Sequence, residues 1–257
     1  MDLGLKDCKA FIAGASKGLG KACARALADE GARVFICSRN ANELKRAAEE
    51  FGAAGYSTAD VSRPAEVKRV VAEAIAVLGG LDCLVTNAGG PPTASFEKAG
   101  DADWDIAYQL NLMSAVRLIR EALPALKASG RGRIVNLTGY GVKEPLTDLV
   151  VSDSVRAGVT VMAKTIASDL APYGITVNNI APGPIMTNRL TEILSARAKN
   201  SGITLDEQVK RLAEAIPVRR MGKPNEIGDL CAYLCSSQAS YLTGQTIVVD
   251  GGVNRSI

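Results

Sequence analysis

The chain contains 257 residues, among them 30 Lys and Arg, 27 Asp and Glu, and no histidine. The absence of histidine excludes Ser-His-Asp and Cys-His nucleophile systems, imidazole bases and histidine-ligated zinc. Any proton transfer must therefore use Tyr, Lys, carboxylates, hydroxyls or the groups of a cofactor. A hydrophobic share of 47% supports one substantial core at this length, so we expect a single domain over residues 1–257.

Charge and hydropathy restrict the partners. The net charge is +3 and the basic residues are scattered, which predicts no nucleic-acid partner. Long apolar runs are missing and the segment Met1–Lys9 is mixed and charged, so we predict neither a membrane span nor a secretory signal. Six cysteines without a CxxC pair indicate buried thiols in a reducing cytoplasm and no metal site.

Short apolar runs alternate with longer amphipathic runs through the first half of the chain. Because a strand followed by a helix usually pairs in parallel with the next strand, this alternation predicts a doubly wound parallel sheet. The predicted strands are Lys9–Ala13, Arg33–Cys37, Gly55–Thr58 and Asp82–Thr86, and the predicted helices are Gly18–Glu30, Ala41–Phe51 and Pro64–Leu78.

The second half continues the alternation and completes an α/β sheet of seven strands. The segment 188–216 interrupts it, because it is helical and polar and lies between two strands. Segments of this kind beyond the ends of strands often cover a ligand site, so we predict a small helical substrate lobe; a pair of extra packing helices is the alternative. The remaining predicted elements are the helices Trp104–Lys127, Ser154–Ala171 and Asn225–Cys235 and the strands Arg133–Leu137, Ile175–Ile180 and Thr246–Val249.

A glycine-rich turn follows the first predicted strand and leads directly into a helix. Gly14, Gly18 and Gly20 permit a tight turn, close approach of the backbone to a pyrophosphate, and close packing of helix on strand. The start of the helix adds unpaired N–H groups and a positive dipole. A plain strand-to-helix turn also uses glycine, but at the first turn of a βαβ unit the pattern predicts dinucleotide binding.

The end of the second predicted strand indicates which dinucleotide is bound. Sites for NAD usually place an acidic residue there, on the ribose 2′-hydroxyl. This chain has Ser38 and Arg39 instead, and Lys17 in the glycine turn adds a second positive charge. These residues suit a 2′-phosphate, so NADP(H) is predicted rather than NAD(H). The alternative is that Arg39 is a solvated residue at a helix start.

Further motifs follow the later strands. Asp60-Val61 follows the third strand, Asn87-Ala88-Gly89-Gly90 the fourth, and the segment 181–187 the sixth, while Asn111 lies in the long helix. Together with the glycine turn and the closing segment 242–252, they resemble the short-chain dehydrogenase/reductase family over essentially the whole chain, most of all bacterial 3-oxoacyl-carrier-protein reductases. The resemblance implies an extended Rossmann-type sheet, a nicotinamide cofactor, a small-molecule substrate and a homotetramer or homodimer.

The resemblance also assigns cofactor contacts to individual positions. Residues of the glycine turn would surround the phosphates, and later segments would contact the adenine, the ribose and the nicotinamide carboxamide. In that order the positions are Gly14, Ser16, Lys17, Gly18, Leu19 and Gly20; Asp60 and Val61; Asn87, Ala88 and Gly89; and Pro182, Gly183, Ile185 and Thr187.

The catalytic positions depart from the family pattern. The family uses a Ser after strand five to bind the carbonyl, a Tyr to donate the proton, and a Lys four residues later to lower the Tyr pKa and hold the nicotinamide ribose. Here these positions hold Gly139, Ser152 and Arg156, and no tyrosine lies between Tyr140 and Tyr173. An aliphatic hydroxyl is a far weaker acid than a phenol, and Arg can hold charge but cannot shuttle a proton.

Three interpretations follow. The first is an NADP(H)-dependent oxidoreductase for a small carbonyl, with an atypical active site in which another residue donates the proton. The second is a reductase for an iminium or a polarised enone, which needs little proton donation. The third is a catalytically inactive NADP(H)-binding sensor or partner subunit. The retained nicotinamide-end segment favours an enzyme, with Asn111, Ser152 and Arg156 as catalytic residues and Arg156 on the ribose. The substitute donors are Tyr140, Lys143, Ser152, Asp153 and Ser154.

Overall fold

A parallel sheet forms the centre of the molecule. The computed structural model describes residues 2–91 and 93–256, and in this range the sheet has seven strands in the order β3-β2-β1-β4-β5-β6-β7. The predicted doubly wound α/β fold is therefore confirmed. The strands are β1 (Lys9–Ala13), β2 (Arg33–Ser38), β3 (Gly55–Thr58), β4 (Cys83–Thr86), β5 (Arg133–Leu137), β6 (Thr176–Pro182) and β7 (Thr246–Val249).

Helices cover both faces of the sheet. Along β1, Ala10 and Ile12 point to one face while Phe11 and Ala13 point to the other, as the two-residue period of a strand requires. The first face packs against α1, α2 and α9, and the second against α3, α5 and α6. The helices are α1 (Gly18–Asp29), α2 (Ala41–Glu50), α3 (Pro64–Leu78), α4 (Asp101–Ala107), α5 (Ser114–Ser129), α6 (Val150–Leu170), α7 (Asn188–Ser201), α8 (Leu205–Ala215) and α9 (Pro224–Cys235).

The predicted helix Trp104–Lys127 is not continuous. The structure has α4 from Asp101, a π-helical turn over Tyr108–Met113, and then α5. The buried positions Ala107, Asn111 and Ser114 still recur at spacings of three or four residues, so the sequence pattern does not reveal the π turn. Such turns often occur at functional sites. The predicted helix Ser154–Ala171 begins earlier, at Val150. The other predicted helix and strand ends differ from those observed by one or two residues at most.

The segment 188–216 forms two helices, α7 and α8, beyond the carboxyl ends of the strands. Arg189 of α7 donates from Nη2 to the Pro91 carbonyl at 2.7 Å, and Arg197 forms an ion pair with Asp148 in the loop before α6. Both contacts connect α7 to loops that follow sheet strands. The segment therefore covers the edge of the sheet where the strands end.

The cysteine thiols and the possibility of a metal site or a membrane span are considered for the described residues. All six cysteines are free and buried, and the sulfur atoms of Cys8 and Cys83 lie 3.3 Å apart. Over residues 2–91 and 93–256, no three or more Cys, Asp or Glu side chains are grouped as metal ligands would be. In the same range no helix combines the length and the apolar character that crossing a bilayer requires.

Candidate active site

One large cleft opens at the carboxyl ends of the strands. Its volume is about 880 Å³, and it lies between β1 and β4, where the order in which the strands are added reverses, the usual ligand position in such sheets. Of the predicted cofactor contacts, Gly20 alone does not line it. Those that do are Gly14, Ser16, Lys17, Gly18, Leu19, Ser38, Arg39, Asp60, Val61, Asn87, Ala88, Gly89, Arg156, Pro182, Gly183, Ile185 and Thr187.

The glycine turn is held tightly against the loop after β4. Gly14 has a φ of +61°, and a Cβ placed on it would lie 2.7 Å from Nδ2 of Asn87. Asn87 Nδ2 donates to the Gly14 carbonyl at 3.0 Å. A Cβ on Gly20 would collide with the same carbonyl, so Gly20 serves close packing rather than lining the cleft. No side chain caps the start of α1, which leaves its N–H groups free for an anion.

The end of β2 carries an unsatisfied polar group. Ser38 Oγ is buried and has no hydrogen-bond partner in the described part of the chain. Arg39 beside it is exposed, and its charge helps to lower the pKa of Asp60, against the opposing effect of burial. Lys17 is instead paired with Glu43 at 3.3 Å. A free hydroxyl and a guanidinium at the cleft edge suit a phosphate, so these residues fit NADP(H).

Arg156 occupies the centre of the substrate end. Its Nε donates to Ser152 Oγ at 3.2 Å, and its Nη1 donates to the carbonyls of Leu137 and Thr138, both at 3.2 Å. Burial lowers its pKa to about 10, which leaves it charged at neutral pH. A Cβ on Gly139 would lie 3.9 Å from Arg156 Cδ, an ordinary contact. The space that the family fills with Ser and Tyr is thus open beside this guanidinium.

Asn111 lies at the π turn next to a small cavity. Its Nδ2 donates to the Gly89 carbonyl at 2.9 Å, while its Oδ1 is buried without a partner. The cavity has a volume of about 10 Å³ and is also lined by Arg156. This is room for about one water molecule, which the unpartnered Oδ1 would bind.

The structure separates the candidate proton donors. Lys143 and Ser154 are exposed and lie outside the cleft, whereas Tyr140, Ser152 and Asp153 line it. Burial raises the pKa of Tyr140, with further contributions from nearby carboxylates, so its phenol is a weaker acid than usual. The Ser152 hydroxyl accepts from Arg156 Nε and is aliphatic, which makes it a far weaker acid than a phenol. Tyr140 and Ser152 both stay predicted donors.

Asp153 has the most suitable environment for an acid. The side chain is only 6% exposed, and its Oδ2 accepts the Leu146 N–H at 3.0 Å. It packs directly on Gly141, where a Cβ would collide with the carboxyl group. Burial raises its pKa, while the Leu146 N–H and the Arg156 charge partly oppose the shift. Oδ1 has no hydrogen-bond partner among the described residues and remains available to the cleft.

Several cleft residues were not predicted from the sequence. They come from segments without a motif: the loop before α6, the helix α7 and the start of α2. For the arginines of α7, the only signal was their place in the predicted substrate lobe. These residues include Glu43, Leu146, Leu149, Arg189 and Arg197.

Comparison with known proteins gives a consistent result. The sequence model of the enoyl-(acyl carrier protein) reductase family matches residues 14–254. Nodulation protein G of Rhizobium sp. (strain N33) is 36% identical over 249 residues, which are 95% of this chain and 96% of that protein. The NADPH-dependent reductase BacG of Bacillus subtilis (strain 168) is 31% identical over 96% of this chain and 98% of its own. L-sorbose reductase of Gluconobacter frateurii, solved with NADPH and L-sorbose, superposes with a TM-score of 0.94 at 31% identity, covering 100% of both chains.

Proposed function

The chain belongs to the short-chain dehydrogenase/reductase family, and we propose that it is an NADP(H)-dependent oxidoreductase for a small carbonyl, enone or imine, with an atypical active site. The observation that carries the proposal is the cleft itself. It joins a phosphate-binding turn, the Ser38–Arg39 pair and a substrate end in which the buried Asp153 lies beside Arg156.

Different residues of the cleft bind different parts of the cofactor. The free N–H groups at the start of α1 and the glycine turn bind the pyrophosphate, and Ser38 and Arg39 bind the 2′-phosphate. Pro182 to Thr187 hold the carboxamide end. When bound, the reduced nicotinamide supplies a hydride to the substrate carbon. BacG, an NADPH-dependent reductase, and the L-sorbose reductase, solved with NADPH, support NADP(H) over NAD(H).

We propose that Asp153 donates the proton that balances the hydride. Its protonated carboxyl releases the proton from Oδ1 to the substrate oxygen or nitrogen, and solvent then reprotonates it. Burial keeps a larger fraction of the carboxyl protonated than in water, which is the state that an acid needs. Arg156 shares this face of α6, being three residues further on, and stabilises the carboxylate that the transfer leaves.

Two measurements test the proposed function. Fluorescence titration with NADPH and NADH tests the cofactor, and equal weak binding of both would contradict the 2′-phosphate site. A panel of ketones, enones and imines with NADPH then tests turnover. Turnover of the iminium alone would favour a reductase without an acid. Tight binding of NADPH without turnover of the whole panel would favour the inactive sensor or partner subunit.

Replacing Arg39 by Ala tests the 2′-phosphate site directly. The side chain would provide charge-assisted hydrogen bonds worth about 1.5–3 kcal/mol, so we expect the Kd for NADPH to rise roughly 10- to 100-fold. The Kd for NADH should change little, because NADH has no 2′-phosphate. Fluorescence titration measures both constants.

A matched arginine serves as the control for Arg39. Arg46 is also exposed but lies outside the cleft, and its only side-chain hydrogen bond is to the Asn42 carbonyl of its own helix. Arg46→Ala should leave both Kd values unchanged. An equal loss of NADPH and NADH affinity in Arg39→Ala would assign Arg39 to general electrostatics rather than to the 2′-phosphate.

We further propose a homotetramer or homodimer that acts in the cytoplasm. The family resemblance supports the oligomer, and Val161, which is 67% exposed on α6, offers a position at which to test the contact. Analytical ultracentrifugation should give the mass of two or four chains, and Val161→Glu should reduce it by placing a charge in the contact. A parent protein that sediments as a monomer, or a variant with unchanged mass, would contradict this assembly.

A further inference from the structure

The substrate end of the cleft contains a guanidinium, that of Arg156, whose hydrogen bonds are all to uncharged groups and on which the Asp153 carboxyl acts from beyond ion-pair distance. Arg156 hydrogen-bonds to two backbone carbonyls and one hydroxyl, none of which carries a charge. No carboxylate among residues 2–91 and 93–256 lies within ion-pair distance of it. Arg156 is half-buried, and a charge partly removed from water is normally paired, because leaving it unpaired is costly.

The donors of Arg156 are also incompletely used. A guanidinium has five N–H donors, and the bonds described above occupy Nε and Nη1. Nη2 has no acceptor among the described residues. The small side chains at Gly139 and Ser152 leave open space beside the guanidinium, since even a Cβ on Gly139 would only reach ordinary contact with Arg156 Cδ.

A second guanidinium lines the same cleft. Arg189 belongs to α7, and its charge acts on Arg156 to lower the pKa of that residue further. Its nearest carboxylate oxygen, Oε2 of Glu192, is 3.9 Å away on a side chain that is 69% exposed. Its one short hydrogen bond is to the Pro91 carbonyl. The cleft therefore holds a weakly paired cation, Arg189, and a half-buried one, Arg156, whose Nη2 has no acceptor among the described residues.

Resting on the proposed function, we propose that the substrate carries a carboxylate, which binds between Nη2 of Arg156 and the guanidinium of Arg189. A carboxylate supplies the missing charge and accepts hydrogen bonds from both arginines, the planar groups best suited to it. The two arginines would then select anionic oxo acids, unsaturated acids or imino acids over neutral ketones and esters. Arg197 does not take part, because it is paired with Asp148.

Matched acids and esters test the proposal. Isothermal titration calorimetry on NADPH-loaded protein compares crotonate with methyl crotonate, and steady-state kinetics compares acetoacetate with methyl acetoacetate. We expect the acids to be preferred roughly 10- to 100-fold in Kd and in kcat/KM, as charge-assisted bonds imply. Arg156→Met and Arg189→Met should each remove most of this preference, Arg156→Lys should retain part of it, and the remote Arg46→Met should retain all of it.

The outcomes separate this inference from the proposed function. Turnover of esters at least as good as of acids, with NADPH binding intact, overturns the carboxylate site and leaves the reductase standing. Failure of crotonate to bind the NADPH-loaded protein also overturns it, whether or not any substrate reacts. If Arg156→Met raises the Kd for NADPH but leaves the acid preference unchanged, Arg156 belongs to the cofactor ribose and the proposal is wrong. Carboxylate binding without any turnover supports the site and instead contradicts the proposed function.

Discussion

Replacing Asp153 by Asn will lower kcat for carbonyl reduction roughly 10²- to 10⁴-fold, the usual contribution of a positioned general acid. The amide keeps the size of the carboxyl and still accepts the Leu146 N–H, but it has no acidic proton to donate. In the parent protein the rate should fall as pH rises through the Asp153 pKa, which burial holds above its ordinary value. Steady-state rates across a pH series, with substrate saturating, measure both effects.

The charged surroundings of Asp153 set the direction of that pH dependence. Its own helix contributes Arg156, which favours the carboxylate, and the preceding loop contributes Asp148, which favours the protonated acid. Burial is the largest influence and also favours the acid. The remaining titratable or charged groups nearby are Tyr140 and Glu144 after β5 and Arg189 and Arg197 on α7. A bound substrate carboxylate beside Arg156 would raise the Asp153 pKa further.

Stability provides the control for this variant. A carboxyl whose pKa is raised by folding stabilises the fold below its unfolded pKa of about 3.9, and that contribution is lost as pH rises through the folded value. At neutral pH Asp153→Asn should therefore be at least as stable as the parent in thermal unfolding. A stable variant with an unchanged rate, or a parent rate independent of pH, would show that Asp153 is not the proton donor.

The second large effect is a gain of function. Combining Gly139→Ser, Ser152→Tyr and Arg156→Lys restores the three family positions, and we expect neutral ketone reduction to rise roughly 10²- to 10⁴-fold. Gly139 has an extended backbone and only an ordinary contact for a new Cβ, so the serine is accommodated. A phenol next to a lysine replaces an aliphatic hydroxyl next to an arginine, and its pKa can be lowered towards neutral.

The triple variant also tests Asp153 independently. If the new tyrosine donates the proton, Asp153→Asn should cost far less activity in the triple variant than in the parent, which is a strong coupling between neighbouring sites. Asn111→Ala in the same background provides the comparison, because Asn111 is not a proton donor in either the parent or the triple variant. Equal losses on Asp153→Asn in both backgrounds would mean that Asp153 supports the site in another way.

Much of the architecture could be predicted because its cause is local. Alternation of short apolar runs with amphipathic runs specifies strands and helices, and the turn around Gly14 specifies the phosphate-binding end. The π turn around Asn111 could not be predicted, since the buried positions keep helical spacing through it. Its effect is nevertheless specific, because it accompanies an asparagine whose Oδ1 is buried without a partner.

The substrate end was less predictable because its properties come from tertiary packing. In the sequence, Ser152, Asp153 and Ser154 form one short polar run with nothing to distinguish them. In the structure, Asp153 is buried against Gly141 while Ser154 is exposed. Arg189 carries no motif, and its place in the cleft with Arg156 depends on how α7 folds over the strand ends. The predicted cofactor and catalytic residues stay predictions until binding and turnover are measured.

Transfer of the nicotinamide hydrogen to a product is the measurement that tests the central claim most directly. NADPH labelled with deuterium at the hydride position is incubated with the protein and the panel of carbonyls, enones and imines, and the products are examined by mass spectrometry and NMR. The account predicts one deuterium on the carbon that is reduced and an unlabelled proton from solvent, which is on the oxygen of an alcohol, the nitrogen of an amine or the α-carbon of a reduced enone after work-up in ordinary water. Stable binding of the labelled NADPH with no deuterium in any product would contradict it, and would identify the protein as a cofactor-binding member of the family without catalysis.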